Sequence, residues 1–140
     1  MNKQEICSRL PHSGAMCLID SIVSYDDTCL KCVSYNHHHL NNPLRTAEGL
    51  SCIAGIEYAA QAMALHRSFL RPVGIVENGY LGALRNIKVH QQWLDKEDAD
   101  LMTEVSLIGS SDKGAIYSFL LLIKDIEIIS GRITIMSGAT

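Results

Sequence analysis

The residue of this chain best suited to chemistry is Glu57, the one acid between Ser51 and Leu70, where nearly every other side chain is apolar or small. Burying an ionised carboxylate without a partner is costly, so such a group is either paired or holds its proton more readily than usual. A carboxyl group protonated near neutral pH can serve as a general acid. Gln61 lies four residues further on, on the same helix face, and can orient Glu57 or a ligand. The alternative is structural: Glu57 bonded to Gln61 at a helix–sheet seam.

Histidines supply the candidate bases. His12 stands in a short loop between Pro11 and Gly14. Three more histidines, residues 37–39, end a predicted strand, where neighbouring side chains point to opposite faces. All three could not bind one metal ion without a sharp bend, so we predict no metal site there, although one of them could point inward. His66, nine residues after Glu57, lies on roughly the opposite side of the predicted helix and is interpreted as structural.

One long helix must position Glu57. Ser51 is a good N-cap, and residues 52–65 are apolar almost all round, which predicts a helix over 51–70 that is buried rather than amphipathic. Small residues such as Gly55 would let a sheet approach its backbone closely. A shorter helix is expected over residues 1–10, ended by Pro11.

Six predicted strands surround this helix in the sequence. They are rich in β-branched and aromatic residues, and short turns join most of them, which predicts antiparallel neighbours. We therefore expect one α+β domain over residues 1–140, with a curved antiparallel sheet wrapped around the helix. The predicted strands are 16–25, 28–36, 80–90, 100–108, 115–123 and 126–136.

Composition excludes several classes of protein. With 140 residues, 47% hydrophobic and 19% charged, the chain is too apolar for disorder and too short for two cores. Its longest aliphatic or aromatic run has five residues, 119–123, so no membrane span is expected. A net charge of −3 gives no electrostatic case for nucleic acid.

The cysteines indicate a reducing compartment. There are five, an odd number at irregular spacing, and the N-terminus has no apolar signal core, so we expect free thiols in the cytoplasm. Cys29 and Cys32 form a CxxC, but on a strand they would face opposite sides.

Three segments carry a family resemblance. Residues 10–20, LPHSGAMCLID, resemble the LPHRxPMLLLD opening of the 3-hydroxyacyl-[acyl-carrier-protein] dehydratases. Residues 55–62, GIEYAAQA, resemble the GIEYMAQ helix of that family, and residues 79–85, GYLGALR, its GYLLGxR strand. The order is the same, the resemblance extends over about residues 10–136, and it is closest to the aryl polyene cluster branch. It implies the hotdog fold, in which an antiparallel sheet wraps one buried helix.

The sequence departs from this family at the catalytic histidine. Typical fatty-acid dehydratases carry GHFPxxPIMPG, with the histidine fourteen positions before the helix acid, and here that position is Pro43. Two replacements are available: His12, which matches the histidine of LPH, is the first candidate, and His39 is the second. If neither reaches the site, the protein would bind a carrier protein without dehydratase chemistry.

The resemblance implies elimination of water from a 3-hydroxyacyl thioester, in fatty acid or aryl polyene biosynthesis. His12 or His39 would remove the C2 proton, and Glu57 would protonate the departing hydroxyl. Backbone N–H groups around Cys52, in the first helical turn, would hold the thioester carbonyl. Tyr58 and Leu81 are expected to line the acyl tunnel, and Gly55 is a further expected substrate contact. No cofactor is implied beyond the phosphopantetheine of the carrier protein.

Partners follow from the same resemblance. A homodimer is expected, because the strand over residues 80–89 would otherwise be an open edge. Arg85, Lys88 and Arg71 are candidate contacts for an acidic acyl carrier protein. Two other functions stay open: a hotdog acyl thioesterase, which would also use a helix carboxylate, and a non-catalytic partner that completes a heterodimer.

Overall fold

A computed structural model of the chain describes residues 1–10, 16–70 and 79–137. None of the helices in these ranges is both long and apolar enough to cross a membrane. Two short 3-10 turns, Asn36–His38 and Cys52–Ala54, accompany the regular elements. Those elements are α1 (Lys3–Ser8), β1 (Ser21–Tyr25), β2 (Cys29–Ser34), α2 (Gly55–Leu70), β3 (Gly79–Val89), β4 (Leu101–Ser111), β5 (Gly114–Ile123) and β6 (Ile126–Ser137).

The central helix begins where the sequence predicts. The Ser51 hydroxyl accepts a hydrogen bond from the Ile53 N–H at 3.2 Å, and a 3-10 turn then leads into α2. One side of α2 packs against β2, β4 and β5 and is fully buried. The other side is only half-buried, and Ile53 just before it is 55% exposed. The prediction of burial all round is therefore wrong for that side.

The strands of the described residues form one sheet in the order β1-β2-β4-β5-β6-β3, with every neighbouring pair antiparallel. Side chains alternate along β5, and the buried set faces α2, because the Tyr117 hydroxyl is 2.6 Å from Nδ1 of His66 on that helix. That buried set is Ala115, Tyr117, Phe119, Leu121 and Ile123. The predicted sheet around one helix is confirmed.

The first strand is shorter than predicted. It begins at Ser21 instead of residue 16, because the Leu18 N–H donates to the Gln61 side chain on α2 at 2.8 Å and not to a neighbouring strand. Pairing with β2 begins just before β1, where the Asp20 N–H donates to the Val33 carbonyl. The other strand ends agree with the prediction to within three residues.

Two cysteines overturn the expectation of free thiols throughout. Cys7 of α1 and Cys17 form a disulfide, with their Cα atoms 5.8 Å apart. The sequence could not show this pair, because α1 is brought to residue 17 by tertiary contacts such as that of the Lys3 amine with the Cys17 carbonyl. Cys29, Cys32 and Cys52 are free. A disulfide is unusual in a reducing cytoplasm, so the cytoplasmic location stays a prediction.

Candidate active site

Glu57 lies in the first turn of α2 and is half-buried. Gln61, one turn further along, is 3% exposed, and its Nε2 donates to the Glu57 carboxylate at 3.3 Å. The same nitrogen donates to the Met16 carbonyl at 2.6 Å, while the Gln61 carbonyl accepts from Leu18. The Gln61 amide thus connects the carboxylate to the segment 16–18, and its bonds leave it little capacity to bind a ligand itself.

That segment directly follows residues 11–15, which contain His12 and lie outside the described residues. On the preceding side, the Arg9 guanidinium lies 4.5 Å from the Phe69 ring centroid, and Leu10 is buried. On the following side, Met16 is tied to Gln61. The two flanks are therefore fixed to α2 or its C-terminal residues, and one of them is bonded to the amide that also contacts Glu57.

Lys3 holds α1 against the same segment. Its amine donates to the carbonyls of Cys17 and Ile19 and to the Asp20 carboxylate, the last at 2.7 Å. With the Cys7–Cys17 disulfide, this gives residues 16–20 a second attachment that is independent of Gln61.

Tyr58 is fully buried, and its hydroxyl is engaged by protein groups. It donates to the Asn36 side-chain carbonyl at 2.7 Å and accepts from the Asn42 amide at 3.0 Å. Burial raises the pKa of this phenol, so it stays neutral. Sequence reasoning missed Asn36 and Asn42; the signal available was two asparagines bracketing the histidine run. Tyr58 therefore fastens the loop 36–42 to α2, and its proposed role in the tunnel stays a prediction.

The three histidines of this loop differ in burial, and two of them contact the same carbonyl oxygen. His37 is buried, and its Nε2 lies 2.7 Å from the Ala99 carbonyl, with Nε2 of His38 3.2 Å from the same oxygen. Desolvation, followed by the neighbouring His38, lowers the pKa of His37. His39 is exposed at the end of the 3-10 turn. Among the described residues, no three His, Cys, Asp or Glu side chains are grouped to hold a metal ion.

The predicted oxyanion donor at Cys52 is occupied. Its N–H donates to the Gln92 carbonyl at 2.9 Å, because residues 50–52 pair with 92–94 in a short bridge. The Ala54 N–H is also taken, by the Ser51 carbonyl. Cys52 therefore does not offer the backbone donor expected from the sequence. Burial raises the pKa of its thiol to about 11, so the sulfur is no nucleophile at neutral pH.

Two further predicted contacts have different surroundings. Gly55 is buried, and a Cβ there would lie 2.9 Å from a Leu121 methyl and 3.1 Å from an Ile129 methyl, which explains why α2 can approach the sheet so closely. Leu81, on the edge strand β3, is 49% exposed. The structure therefore brings Glu57 and Gln61 together, while Leu81 is exposed on the edge strand of the described residues.

His66 has the structural role predicted for it. It is fully buried, with Nδ1 bonded to Tyr117 and Nε2 2.9 Å from the Asp26 carbonyl. A partly buried ion pair between Arg45 and Asp95, at 2.8 Å, was not predicted; it stabilises the turn that precedes Leu50 and the helix.

Fold and site together define a class: a hotdog domain with a half-buried carboxylate on its central helix. A family model described as ApeP-like, ApeP dehydratase, matches residues 4–139. The chain belongs to this ApeP-like dehydratase family. Among curated proteins no match was found.

Solved structures show the same fold. The ApeI:P dehydratase heterocomplex from Xenorhabdus doucetiae is similar with a TM-score of 0.85 and 17% identity, covering 96% of this chain and 91% of that one. A Pseudomonas aeruginosa thioesterase matches with a TM-score of 0.69 and 12% identity, over 98% and 94% of the two chains. A Staphylococcus aureus thioesterase matches with a TM-score of 0.64 and 14% identity, over 85% and 93%. At such identities the likeness establishes the fold.

Proposed function

We propose that this chain dehydrates a 3-hydroxyacyl thioester, carried on an acyl carrier protein, to the 2-enoyl thioester. The observation that supports this most strongly is Glu57, a half-buried carboxyl group held by Gln61 on the central helix of a chain in a dehydratase family. The family match supports dehydration as the reaction class. Fatty acid or aryl polyene biosynthesis is the setting we propose for the substrate.

The proposed reaction balances with two proton transfers. An imidazole takes the C2 proton, the C2–C3 double bond forms as the C3–O bond breaks, and Glu57 gives its proton to the departing hydroxyl, which leaves as water. No metal or redox cofactor is needed for this balance. Because Glu57 is half-buried, it can recover a proton from solvent or from the imidazolium before the next turnover.

His12 is our first candidate for the base. It lies in the segment 11–15, four residues before Met16, whose carbonyl accepts from the same Gln61 amide that contacts Glu57. His39 is the second candidate: it is exposed on the loop that Tyr58 and Asn42 attach to α2. Alanine at the true base should reduce turnover as strongly as the loss of Glu57.

We propose that the active form is a dimer joined through β3. This strand is paired to β6 on one side and ends the sheet on the other, and it exposes Leu81 and Leu84 at 49% and 40%. Light scattering should give a mass of about twice 15.4 kDa. A stable monomer with full turnover would contradict it.

A second candidate function is that of a subunit in a heterocomplex. The Xenorhabdus doucetiae structure, described as a dehydratase heterocomplex, favours it. In that case the partner across β3 would be a different hotdog chain, and this chain alone would be inactive.

One experiment separates these functions. The purified protein is incubated with a 3-hydroxyacyl carrier protein, and the mass of the carrier is recorded. Loss of one water supports the proposal. Loss of the whole acyl group would instead indicate a thioesterase, as in the Pseudomonas and Staphylococcus relatives in fold, and an unchanged mass would indicate a non-catalytic subunit. Glu57→Gln is the matched control, because a contaminating dehydratase would be unaffected by it.

A further inference from the structure

Two arginines lie directly opposite each other on the face of the sheet that points away from α2. Arg85 of β3 and Arg132 of β6 are register partners, and Arg132 is in turn the partner of Ser118 on β5. Tyr117, next to Ser118, bonds to α2, and successive side chains on a strand point to opposite faces. Ser118 and both arginines therefore face outward, where the arginines are exposed.

A depression of about 620 Å³ lies at these arginines. Apart from the two guanidinium groups it is mostly apolar, with a threonine hydroxyl as a further polar group. Its lining residues are Gly82, Ala83, Arg85, Ile116, Arg132, Thr134 and Met136. A concave surface with a cationic wall and an apolar floor fits an anionic partner that also carries apolar groups.

Lys88 adds a third positive charge on this face. It is the register partner of Ser130, which is two residues from Arg132 and so on the same side of β6. Arg71, the remaining cation expected to contact a carrier protein, lies outside the described residues. We call Arg85, Lys88 and Arg132 the arginine face.

In the part of the chain that the structure describes, the three cations of the arginine face lack an acidic partner. The strands β3, β5 and β6 carry a single acid between them, Glu127, and it is bonded to His90 and Ser130. Within the described residues, no carboxylate lies within ion-pair distance of the three cations. Like charges directly opposite on a sheet are destabilising. The chain bears this cost, which an anionic partner would relieve.

Another cation on the same outer face shows the contrast. Lys31 of β2 lies opposite Glu104 of β4, and their charged groups are 3.1 Å apart. Among the described residues, cation and acid are thus paired at one end of the sheet, while the three cations at the other end have no acidic partner.

We infer that the arginine face docks an acidic protein surface; resting on the proposed function, that surface is the one presented by the acyl carrier protein. Three cations on a chain of net charge −3 give little support for binding to nucleic acid, whereas a partner protein can supply both carboxylates and apolar contacts. The arginine face includes residues of β3, the strand at the edge of the sheet. A carrier docked there therefore lies next to the edge at which the outer face meets the face that packs against α2.

The test compares two substrates with the same acyl group, one on the carrier protein and one on pantetheine. Arg132→Ala is the main variant, because β6 is paired on both sides and the substitution leaves the β3 edge intact. This single substitution should raise KM for the carrier substrate about 5-fold and weaken its salt dependence. Turnover of the pantetheine thioester should be unchanged. Lys31→Ala, with the same change in charge three strands away from β6, should leave the turnover of both substrates unaffected.

Three outcomes would overturn the inference. The first is an unchanged KM for the carrier substrate in the variant. The second is a rise in KM for the pantetheine thioester as large as that for the carrier substrate. The third is an equally large rise for a phosphopantetheine thioester, which would show that the arginines bind the phosphate. Binding of the unacylated carrier to wild type and Arg132→Ala is measured separately. If the carrier binds wild type at least about 5-fold more tightly than it binds Arg132→Ala, the docking surface is supported even when no substrate is converted. Failure of the proposed function and failure of this inference are therefore distinguishable.

Discussion

The central helix presents polar side chains of two kinds. Tyr58 and His66 are buried, and their polar atoms are bonded to neighbouring elements of the protein. Glu57 is only half-buried, and the Gln61 amide donates to its carboxylate at 3.3 Å. The comparison separates polar groups that hold the fold from one that a substrate can approach. Variants of the first kind should cost stability, and variants of Glu57 should cost turnover.

The largest loss of stability is expected for His66→Ala. The substitution leaves a cavity and removes both bonds of the imidazole, to Tyr117 and to the Asp26 carbonyl. We expect the free energy of unfolding to fall by about 3–5 kcal/mol, measured by urea denaturation. Turnover per folded molecule should be nearly unchanged. A stable variant with lost turnover would place His66 in the chemistry and break the comparison.

Gln61→Leu should reduce both stability and turnover, because Gln61 is buried like Tyr58 and His66 but also contacts Glu57. It leaves the Leu18 N–H and the Met16 carbonyl without their partner, which should cost about 2–4 kcal/mol of stability. It also removes the amide that holds Glu57, so kcat should fall about 10-fold in the folded fraction. Gln61→Glu keeps an acceptor for the Leu18 N–H but loses the donor to Glu57 and places two carboxyl groups side by side, so kcat should fall in this variant as well. Unchanged kcat in both variants would show that Gln61 does not position Glu57.

Tyr58→Phe should cost about 1–2 kcal/mol, because the ring stays buried while the bonds to Asn36 and Asn42 are lost. Thermal unfolding measures this cost. If Tyr58 instead lines the acyl tunnel, as the sequence predicts, KM would rise while stability changed little.

The smallest effect is a pH dependence of stability from His37. Its pKa is lowered in the fold by desolvation and by His38, so between that value and about 6.5 the unfolded state binds a proton that the native state does not. Stability should therefore fall as pH decreases below about 6.5. His37→Asn should reduce this slope in denaturation measured from pH 7 to pH 5, whereas His39→Asn, an exposed control, should leave it unchanged. Equal slopes in all three proteins would contradict this origin.

The sequence allowed the fold to be predicted where periodicity is decisive. The helix with its Ser51 cap and the strands β4, β5 and β6 follow from local patterns, and Glu57 with Gln61 follows from the four-residue repeat of a helix. Tertiary pairings were not predictable in this way. The Cys7–Cys17 disulfide and the bond from Cys52 N–H to Gln92 join segments whose approach no local pattern encodes.

The position of Arg132 shows the same limit. Its strand was predicted almost to the residue, but that β6 pairs with β3 and places Arg132 opposite Arg85 depends on the strand order. Strand order requires a crossover, which the residues of either strand alone do not specify.

Glu57→Gln, assayed for dehydration and for unfolding in the same preparation, tests the central claim most directly. Glutamine keeps the volume and a carbonyl that can accept from Gln61, but it cannot deliver a proton to the departing hydroxyl. The account predicts that water loss from a 3-hydroxyacyl carrier protein falls at least ~10²-fold, with the free energy of unfolding unchanged or slightly higher. Turnover close to wild type with altered stability would contradict it and make Glu57 a structural residue of the helix.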